Sequence, residues 1–201
     1  MKRVALALAL VLAGCGVNKD EGISGGGKVI GRTVTVYSLV TDPGGAGRDF
    51  VDGEKLALSD AGGRAGGLAV NFTSLDLGGA DESAQAEATR RAINDPQIIA
   101  AVVDATKVTV PLFNAAGILQ VSPGGVSVAR DPNLLPSGRA TVESLRGSVP
   151  GDFDARFRGA FGRAPGAGSS DGYRAMAAIV GAIGRAGAAG NDRTRVIAAY
   201  R

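Results

Sequence analysis

The chain has 201 residues, 45% of them hydrophobic, so it is long enough to bury one sizeable core and a single compact domain is the simplest expectation. Lysine and arginine number 22 against 19 acidic residues, and without Lys2 and Arg3 the balance is 20 against 19, which does not indicate nucleic-acid binding. The chain contains no histidine and one cysteine, which excludes a disulfide framework and leaves the common acid–base and metal-binding constellations incomplete.

The first fifteen residues are typical of a bacterial export signal. Lys2 and Arg3 form a basic start, and an apolar run from Val4 to Leu12 follows, too short to span a bilayer. The sequence Leu-Ala-Gly-Cys that ends at Cys15 resembles the lipobox of bacterial lipoproteins. The resemblance implies a signal peptide at residues 1–14, cleavage before Cys15 and lipidation of its thiol, whereas the alternative is an ordinary buried cysteine in a first helix.

Residues 15–31 are polar and glycine-rich, and we expect them to form a flexible tether between the lipid and the folded domain. Gly22–Gly26 matches the nucleophile-elbow pattern, but the chain has no histidine to complete a triad. Gly22–Lys28 approximates a phosphate-binding loop, but Val29 stands where a hydroxyl must reach Mg²⁺. Both segments are therefore interpreted as linker.

The pattern then becomes regular. Residues 33–40 are β-branched and apolar and predict a strand, and residues 42–47 predict a tight glycine turn. Residues 48–63 carry apolar residues at helical spacing and end on a Gly-Gly stop. This segment therefore predicts one unit of strand, loop and helix.

Three further strands are predicted at residues 68–76, 98–103 and 118–123. Asp81 predicts the N-cap of a helix between the first two, and a helix from about Thr106 to Ala116 separates the last two. Strands that alternate with helices and read as near-continuous apolar runs predict a parallel sheet covered on both faces. The predicted fold class is therefore α/β, a three-layer parallel sheet with helices on both faces.

The order of these segments resembles one lobe of a known family, the type I periplasmic solute-binding proteins of ABC importers, in the branched-chain amino acid (Leu/Ile/Val-binding) class. The sequence AAGILQVSP at 115–123 is the most specific piece, and a second block at 153–200 resembles the family's late segment. The resemblance implies binding without catalysis, of an amino acid or similar small solute, with no cofactor and no metal ion. It also implies ABC permease subunits as partners.

The main departure from the family lies between these blocks. Residues 124–152 are fewer than one βαβ unit needs, about 30 residues, so most of the second lobe is expected to be missing. This connector is predicted to be loop with one short helix around Ala140–Arg146. Residues 153–201 are expected to form helices that pack back on the first-lobe domain at 32–123, with apolar residues such as Met176 in its core.

In open α/β sheets, ligands bind beyond the carboxyl ends of the strands. In the family, a carboxylate ligand accepts hydrogen bonds from backbone N–H groups and a hydroxyl of the first lobe. The resemblance places Thr106 at the hydroxyl position, although a helix N-cap role fits Thr106 equally well. Val126 lacks a hydroxyl that Ser127 would replace, and Asp104 would repel a carboxylate. The candidate ligand-binding residues are Thr106, Gly124, Gly125, Ser127, Ser122 and Ala46, of which Ala46 matches a position where an aromatic often covers the ligand.

Two functions stay open at this point. One is a substrate-binding lipoprotein of an ABC importer, located on the outer side of the cytoplasmic membrane or in the periplasm and impaired by the lost lobe. The other is a non-transport single-lobe lipoprotein, either a protein-interaction module or a decayed remnant. A single lobe predicts affinity for leucine, isoleucine or valine no tighter than about 1 mM. A homodimer that presses two cleft faces together, around 41–47 and 122–127, would restore enclosure.

Overall fold

The computed structural model describes residues 27–135 and 141–201. The predicted signal peptide at 1–14, Cys15 and residues 16–26 of the predicted tether lie outside the described residues. In chain order the elements are β1 (Thr33–Val40), α1 (Arg48–Asp60), β2 (Arg64–Ala65), β3 (Leu68–Asp76), α2 (Glu82–Ile93), β4 (Ile98–Val103), α3 (Thr109–Ala115), β5 (Leu119–Ser122), β6 (Val142–Ser144), α4 (Phe153–Phe161), α5 (Ser169–Ala186) and α6 (Arg193–Tyr200), with short 3-10 helices at Val128–Arg130 and Gly187–Ala189. None of the helices formed by the described residues is long and apolar enough to cross a membrane.

One six-stranded sheet runs through the described residues, in the order β2-β3-β1-β4-β5-β6. The strands β3, β1, β4, β5 and β6 are all parallel to their neighbours, whereas β2 is antiparallel to β3. The turn between β2 and β3 is Gly66–Gly67, with φ of 55° and 82°. Positive φ at both positions closes a two-residue hairpin, and glycine adopts it without steric cost.

Helices cover both faces of the sheet, and each face has its own apolar core. On one face, side chains from α1, α4, α5 and α6 pack with strand residues such as Val36 and Val102. On the other face, side chains from α2 and α3 pack with Leu39 and Val103. All six residues of β4 are buried, as expected for a central strand covered on both sides. The three-layer α/β architecture predicted from the sequence is therefore confirmed, with β2 as an antiparallel addition.

The long helix α5 belongs to this core. Met176, which is expected in the core from the sequence, has no exposed surface, and neither has Ile179. Helices α1 and α5 approach closely because glycines lie at their contact: a Cβ atom at Gly53 would overlap the carbonyl of Ser169, and a Cβ atom at Gly172 would overlap the carbonyl of Phe50. Small residues at a helix crossing allow this backbone-to-backbone distance.

The connector contributes a strand where the sequence predicted a helix. The helix expected around Ala140–Arg146 is wrong, since Val142–Ser144 form β6, parallel to β5. Gln120 N donates to Thr141 O at 3.1 Å, so β6 satisfies backbone groups at what would otherwise be an open edge of β5. Val142 is buried against that edge, and a β-branched residue suits the extended conformation.

Lys28 and Val29, inside the segment 15–31 that the sequence predicts as a tether, are part of the folded domain. Lys28 forms an antiparallel bridge with Asp192. Val29 N donates to Asn191 O at 2.7 Å, and Val29 O accepts from Asn191 Nδ2 at 2.8 Å. Val29 is only 2% exposed. These two bonds and the buried side chain hold the chain in place before β1 starts.

Candidate ligand-binding site

The strand order places a topological switch point between β1 and β4. From β1 the chain passes to β3 on one side, and then to β4 on the other side. In open α/β sheets a crevice forms there, outside the carboxyl ends of the strands. We call this side of the sheet the carboxyl edge, formed by the loops after β1 (41–47), β4 (104–108) and β5 (123–127). All the ligand-binding residues predicted from the sequence lie in these loops or at the end of β5.

The hydroxyl of Thr106 is engaged within the protein. The helix α3 begins at Thr109, three residues later than predicted. Thr106 Oγ1 accepts from the backbone N–H groups of Val108 and Thr109, at 3.2 and 3.1 Å. The same hydroxyl donates to Gln85 Oε1 at 2.9 Å. Because a hydroxyl has one hydrogen to donate, Thr106 here supports the start of α3 and links it to α2.

Ser122 and Gly125 join two loops of the carboxyl edge. Ser122 has no exposed surface; its Oγ accepts from Ala105 N at 3.0 Å and donates to Gly125 O at 2.7 Å. The Ser122 hydroxyl therefore holds the loop after β4 against the loop after β5, and both of its usual bonds are made inside the protein.

The Asp104 carboxylate accepts a hydrogen bond from Gly124, one of the residues at which the resemblance predicts ligand binding. Gly124 N donates to Asp104 Oδ1 at 2.9 Å. A Cβ atom at Gly124 would lie 2.9 Å from the same oxygen, so a larger residue here would push this exposed carboxylate aside. Asp104 is itself exposed. The side-chain carboxylate thus sits where the carboxylate of an amino-acid ligand was expected to bind.

Ala46 lies exposed in a loop that Asp42 organises. The N–H groups of Gly45 and Ala46 donate to the Asp42 carboxylate at 2.9 and 3.0 Å. Asp42 N donates to Asp76 Oδ1 at 3.3 Å, and Asp42 has a φ of 49°, which aspartate tolerates better than most residues.

Ser127 keeps a hydroxyl at the surface. Ser127 is exposed and precedes the 3-10 helix Val128–Arg130, to which it gives no side-chain cap. Lys107, also exposed, follows Thr106 and brings a positive charge to the carboxyl edge. These two polar side chains and the exposed Gly124 face solvent at the carboxyl edge, as do Asp104 and most of the loop 41–47.

Two glutamines that support the site were not found from the sequence. Gln85 on α2 accepts from Thr106 and donates to Gly79 O at 2.6 Å. Gln120 on β5 is fully buried, and its Nε2 lies 3.2 Å from Asp104 O and 3.1 Å from Thr109 Oγ1. The side-chain amide of Gln120 inside the apolar sequence ILQVS could have indicated a buried polar residue that supports the loops. No neighbouring residue gives a similar indication for Gln85.

A separate pocket of about 330 Å³ lies between the end of β3 and α2. None of the predicted ligand-binding residues lines it; its lining consists of Leu75, Asp76, Gly78, Ala84, Glu87, Ala88 and Arg91. Within the described ranges, no group of three or more histidine, cysteine or acidic side chains could hold a metal ion.

The fold is similar to that of solved substrate-binding proteins. An ABC transporter substrate-binding protein from Sphaerobacter thermophilus has a TM-score of 0.65 at 12% identity, over 84% of this chain and 85% of that one. The leucine-binding protein LivK from Thermotoga maritima has a TM-score of 0.61 at 13% identity, over 84% and 87%. LivJ from Streptococcus pneumoniae, a branched-chain amino acid transporter substrate-binding protein in complex with isoleucine, has a TM-score of 0.60 at 9% identity, over 84% and 87%.

The chain has the fold of one lobe of a type I periplasmic-binding protein. The similarity covers most of the chain, and these solved neighbours are binding proteins of ABC transporters. Neither a family model nor a curated protein matches the sequence. At identities of 9 to 13% the likeness establishes the fold alone, so the ligand must be argued from the residues at the carboxyl edge.

Proposed function

We propose that this protein is the substrate-binding component of an ABC-type importer and receives an amino acid or similar small solute at the carboxyl edge. The observation that carries the proposal is the convergence of three loops at the switch point between β1 and β4, on a fold similar to that of transporter substrate-binding proteins. Cys15 attaches the protein by lipid to the outer side of the cytoplasmic membrane or within the periplasm. The lipobox at residues 12–15 supports this location.

Ligand contact would fall on the groups that face solvent. The exposed candidates are the backbone of Gly124, the Ser127 hydroxyl and the surface of Ala46, and Gly125 is half-buried. Thr106 and Ser122 do not contact the ligand in this proposal; their hydroxyl groups hold the loops after β4 and β5 in place. A ligand carboxylate that takes the Gly124 N–H must displace Asp104, with which it shares a negative charge. The site therefore favours solutes whose carboxylate is absent or is held elsewhere.

Binding by this lobe is expected to be weak. Two or three charge-assisted hydrogen bonds contribute about 1.5 to 3 kcal/mol each, and association costs about 4 kcal/mol or more. One lobe also leaves much of a small ligand in water, which weakens those bonds further. The expected dissociation constant for leucine, isoleucine or valine is no tighter than about 1 mM.

A second function is favoured by the same residues. Asp104, Thr106 and Ser122 already form hydrogen bonds within the protein, so these three side chains are engaged without a ligand. Such a surface suits a non-transport lipoprotein, a protein-interaction module or a decayed remnant, that meets a protein partner. A second copy of the chain pressed against 41–47 and 122–127 would bury this surface.

A thermal-shift screen over amino acids and amines, on the parent chain and on Asp104→Ala, tests these functions. Asp104→Ala frees the Gly124 N–H, so carboxylate ligands should bind at least about tenfold more tightly than to the parent chain. Asp154→Ala, which removes an exposed carboxylate from α4, is the matched control and should leave binding unchanged.

Light scattering on the same samples reports the oligomeric state. A ligand-dependent shift supports the importer component, whereas a dimer with no shift in either protein supports the interaction module. Micromolar binding of leucine by a monomer would contradict the argument from a single lobe.

A further inference from the structure

Basic side chains gather at the end of the sheet opposite the carboxyl edge, where β1, β3 and β4 begin. Arg32 precedes β1 and Arg64 begins β2, and both guanidinium groups donate to Gly67 O, at 3.4 and 3.3 Å. Arg193 Nε donates to Ile98 O, at the first residue of β4, at 3.0 Å. Since β1, β3 and β4 run parallel, these three arginines lie along one side of the molecule.

Three more basic residues extend this side. Lys28 lies beside it through the bridge to Asp192, Arg195 lies in the first turn of α6, and Arg90 lies in the last turn of α2, shortly before β4 starts. Apart from Arg193, which is half-buried, all of these side chains are exposed. We call the set the basic edge: Lys28, Arg32, Arg64, Arg90, Arg193 and Arg195.

The described carboxylates form no close ion pair with the basic edge, although Asp95 acts on Arg193 electrostatically from a longer distance. The ion pairs within 4.0 Å among the described residues involve none of its six members. Two aspartates lie here, Asp95 and Asp192, and a third, Asp60 at the end of α1, is paired with Arg156. By contrast, the loops of the carboxyl edge hold carboxylates such as Asp42 and Asp104. The two ends of the sheet therefore differ in charge.

An exposed apolar side chain stands within the basic edge. Ile30 is 92% exposed. Among the described residues it is the large hydrophobic side chain that lies in solvent. It lies between Lys28 and Arg32, and burial of Val29 together with the bonds to Asn191 holds this segment in place. An apolar side chain flanked by cations is the arrangement that enters the headgroup region of an anionic membrane.

We propose that the basic edge docks on an anionic phospholipid bilayer, with Ile30 entering the headgroup region. The proposal rests on the proposed function in one respect: the chain that leads from Cys15 enters the domain at Lys28, so a lipid on Cys15 holds the basic edge at the membrane. In this orientation the carboxyl edge faces away from the bilayer and meets solutes. A weak, salt-sensitive contact also leaves the domain free to move to a permease.

Vesicle co-sedimentation tests the proposal on the chain from residue 15 with Cys15→Ser, which has no lipid and keeps every described residue. The protein should sediment with vesicles that contain about one third phosphatidylglycerol, stay in solution with pure phosphatidylcholine, and be released by raised salt. Lys28→Glu with Arg195→Glu, and separately Ile30→Asn, should each weaken binding at least about tenfold. Arg130→Glu with Arg158→Glu is the control of equal charge change away from the basic edge.

Equal sedimentation with both kinds of vesicle would overturn the proposal, as would a control pair that weakens binding as much as the test pair. Binding to short duplex DNA but not to vesicles would assign the basic edge to nucleic acid instead. Circular dichroism on each variant shows that it is folded. Because this chain carries no lipid and the assay contains no solute, its outcome is independent of whether Cys15 is lipidated or the carboxyl edge binds a ligand.

Discussion

Replacing Glu54 by glutamine should stabilise the protein in a way that depends on pH. Glu54 lies on the face of α1 that packs against the sheet and has no exposed surface. Burial raises the pKa of Glu54 well above its usual range, and Ser38 on β1 and Lys55 lower that pKa only in part. Neither carboxyl oxygen, nor the Ser38 hydroxyl, makes a hydrogen bond of ordinary geometry within the described residues. Burial in the folded state therefore favours the neutral acid of Glu54 over its carboxylate.

The size and sign of the effect follow from proton linkage. Between the ordinary glutamate pKa of about 4.3 and the higher folded-state pKa, the unfolded chain is ionised at Glu54 while the folded chain keeps the proton. Unfolding then releases a proton, so the free energy of unfolding falls by about 1.4 kcal/mol for each pH unit in this window. As long as the pH lies within this window, the difference between Glu54→Gln and the parent chain should therefore keep growing as the pH rises. Below about pH 4 the pH-dependent difference should vanish.

Urea unfolding of both proteins at a series of pH values measures this difference. Glu87→Gln, which changes an exposed glutamate on α2, is the matched control and should follow the parent chain at every pH. Glu54→Leu, which also removes the unpaired buried oxygens, should be at least as stable as Glu54→Gln. A difference between Glu54→Gln and the parent chain that does not change with pH would refute the reasoning, because an ionised or well-paired Glu54 would produce it.

Three further predictions concern packing, tyrosine ionisation and the lipid. Gly172→Ala should lower the free energy of unfolding by about 1 to 3 kcal/mol, because its Cβ would overlap Phe50 O where α1 and α5 touch. Gly184→Ala on the same helix meets no atom within 4 Å and should stabilise by up to about 1 kcal/mol, so equal urea midpoints would contradict the close-contact argument. Burial raises the pKa of Tyr173 and of Tyr200 to about 12, and a hydrogen bond to Asp60 adds to the shift at Tyr173, so ultraviolet titration of the folded protein should lag that of the unfolded chain. A titration near pH 10 in the folded state would show that these phenols are open to water. Cys15→Ser should release the full-length protein from the membrane fraction and leave an uncleaved or differently cleaved precursor; unchanged fractionation would count against lipidation.

Strands, helices and caps that depend on neighbouring residues could be predicted from the sequence alone. The β-branched and apolar run of β1 and the six apolar residues of β4 match the predicted strands residue for residue. Asp81 was predicted as the cap of α2, and its carboxylate accepts from the N–H groups of Ser83 and Ala84. A cap bonds to residues two and three positions away, and side-chain periodicity is a property of a single segment. The layered α/β fold follows from the order of such segments.

The features that decide the candidate site depend on residues far apart in sequence. Gly124 is held by Asp104, which lies 20 positions earlier, and Thr106 is held by Gln85, which lies 21 positions earlier. The acidic side chain of Asp104 predicts repulsion of a ligand carboxylate, but nothing in the sequence indicates that Asp104 accepts the Gly124 N–H itself. A hydroxyl or N–H group carries no local sign of which partner folding will bring to it, so only the tertiary structure shows which groups stay free to bind.

Strand β6 shows the same limit for secondary structure. Val142–Ser144 are three residues in a connector with three prolines, and nothing in that stretch predicts a strand more than a helix. They become a strand because β5 offers unpaired backbone groups that Thr141 and its neighbours satisfy. Likewise, nothing local marks Val29, an apolar residue in a glycine-rich segment, as fixed in place. Its backbone is held by Asn191, which lies 162 positions later. Local sequence determined most of the strands and helices of this protein, whereas β6, the anchoring of Val29 and the choice of free donors were decided by contacts that exist only once the chain has folded.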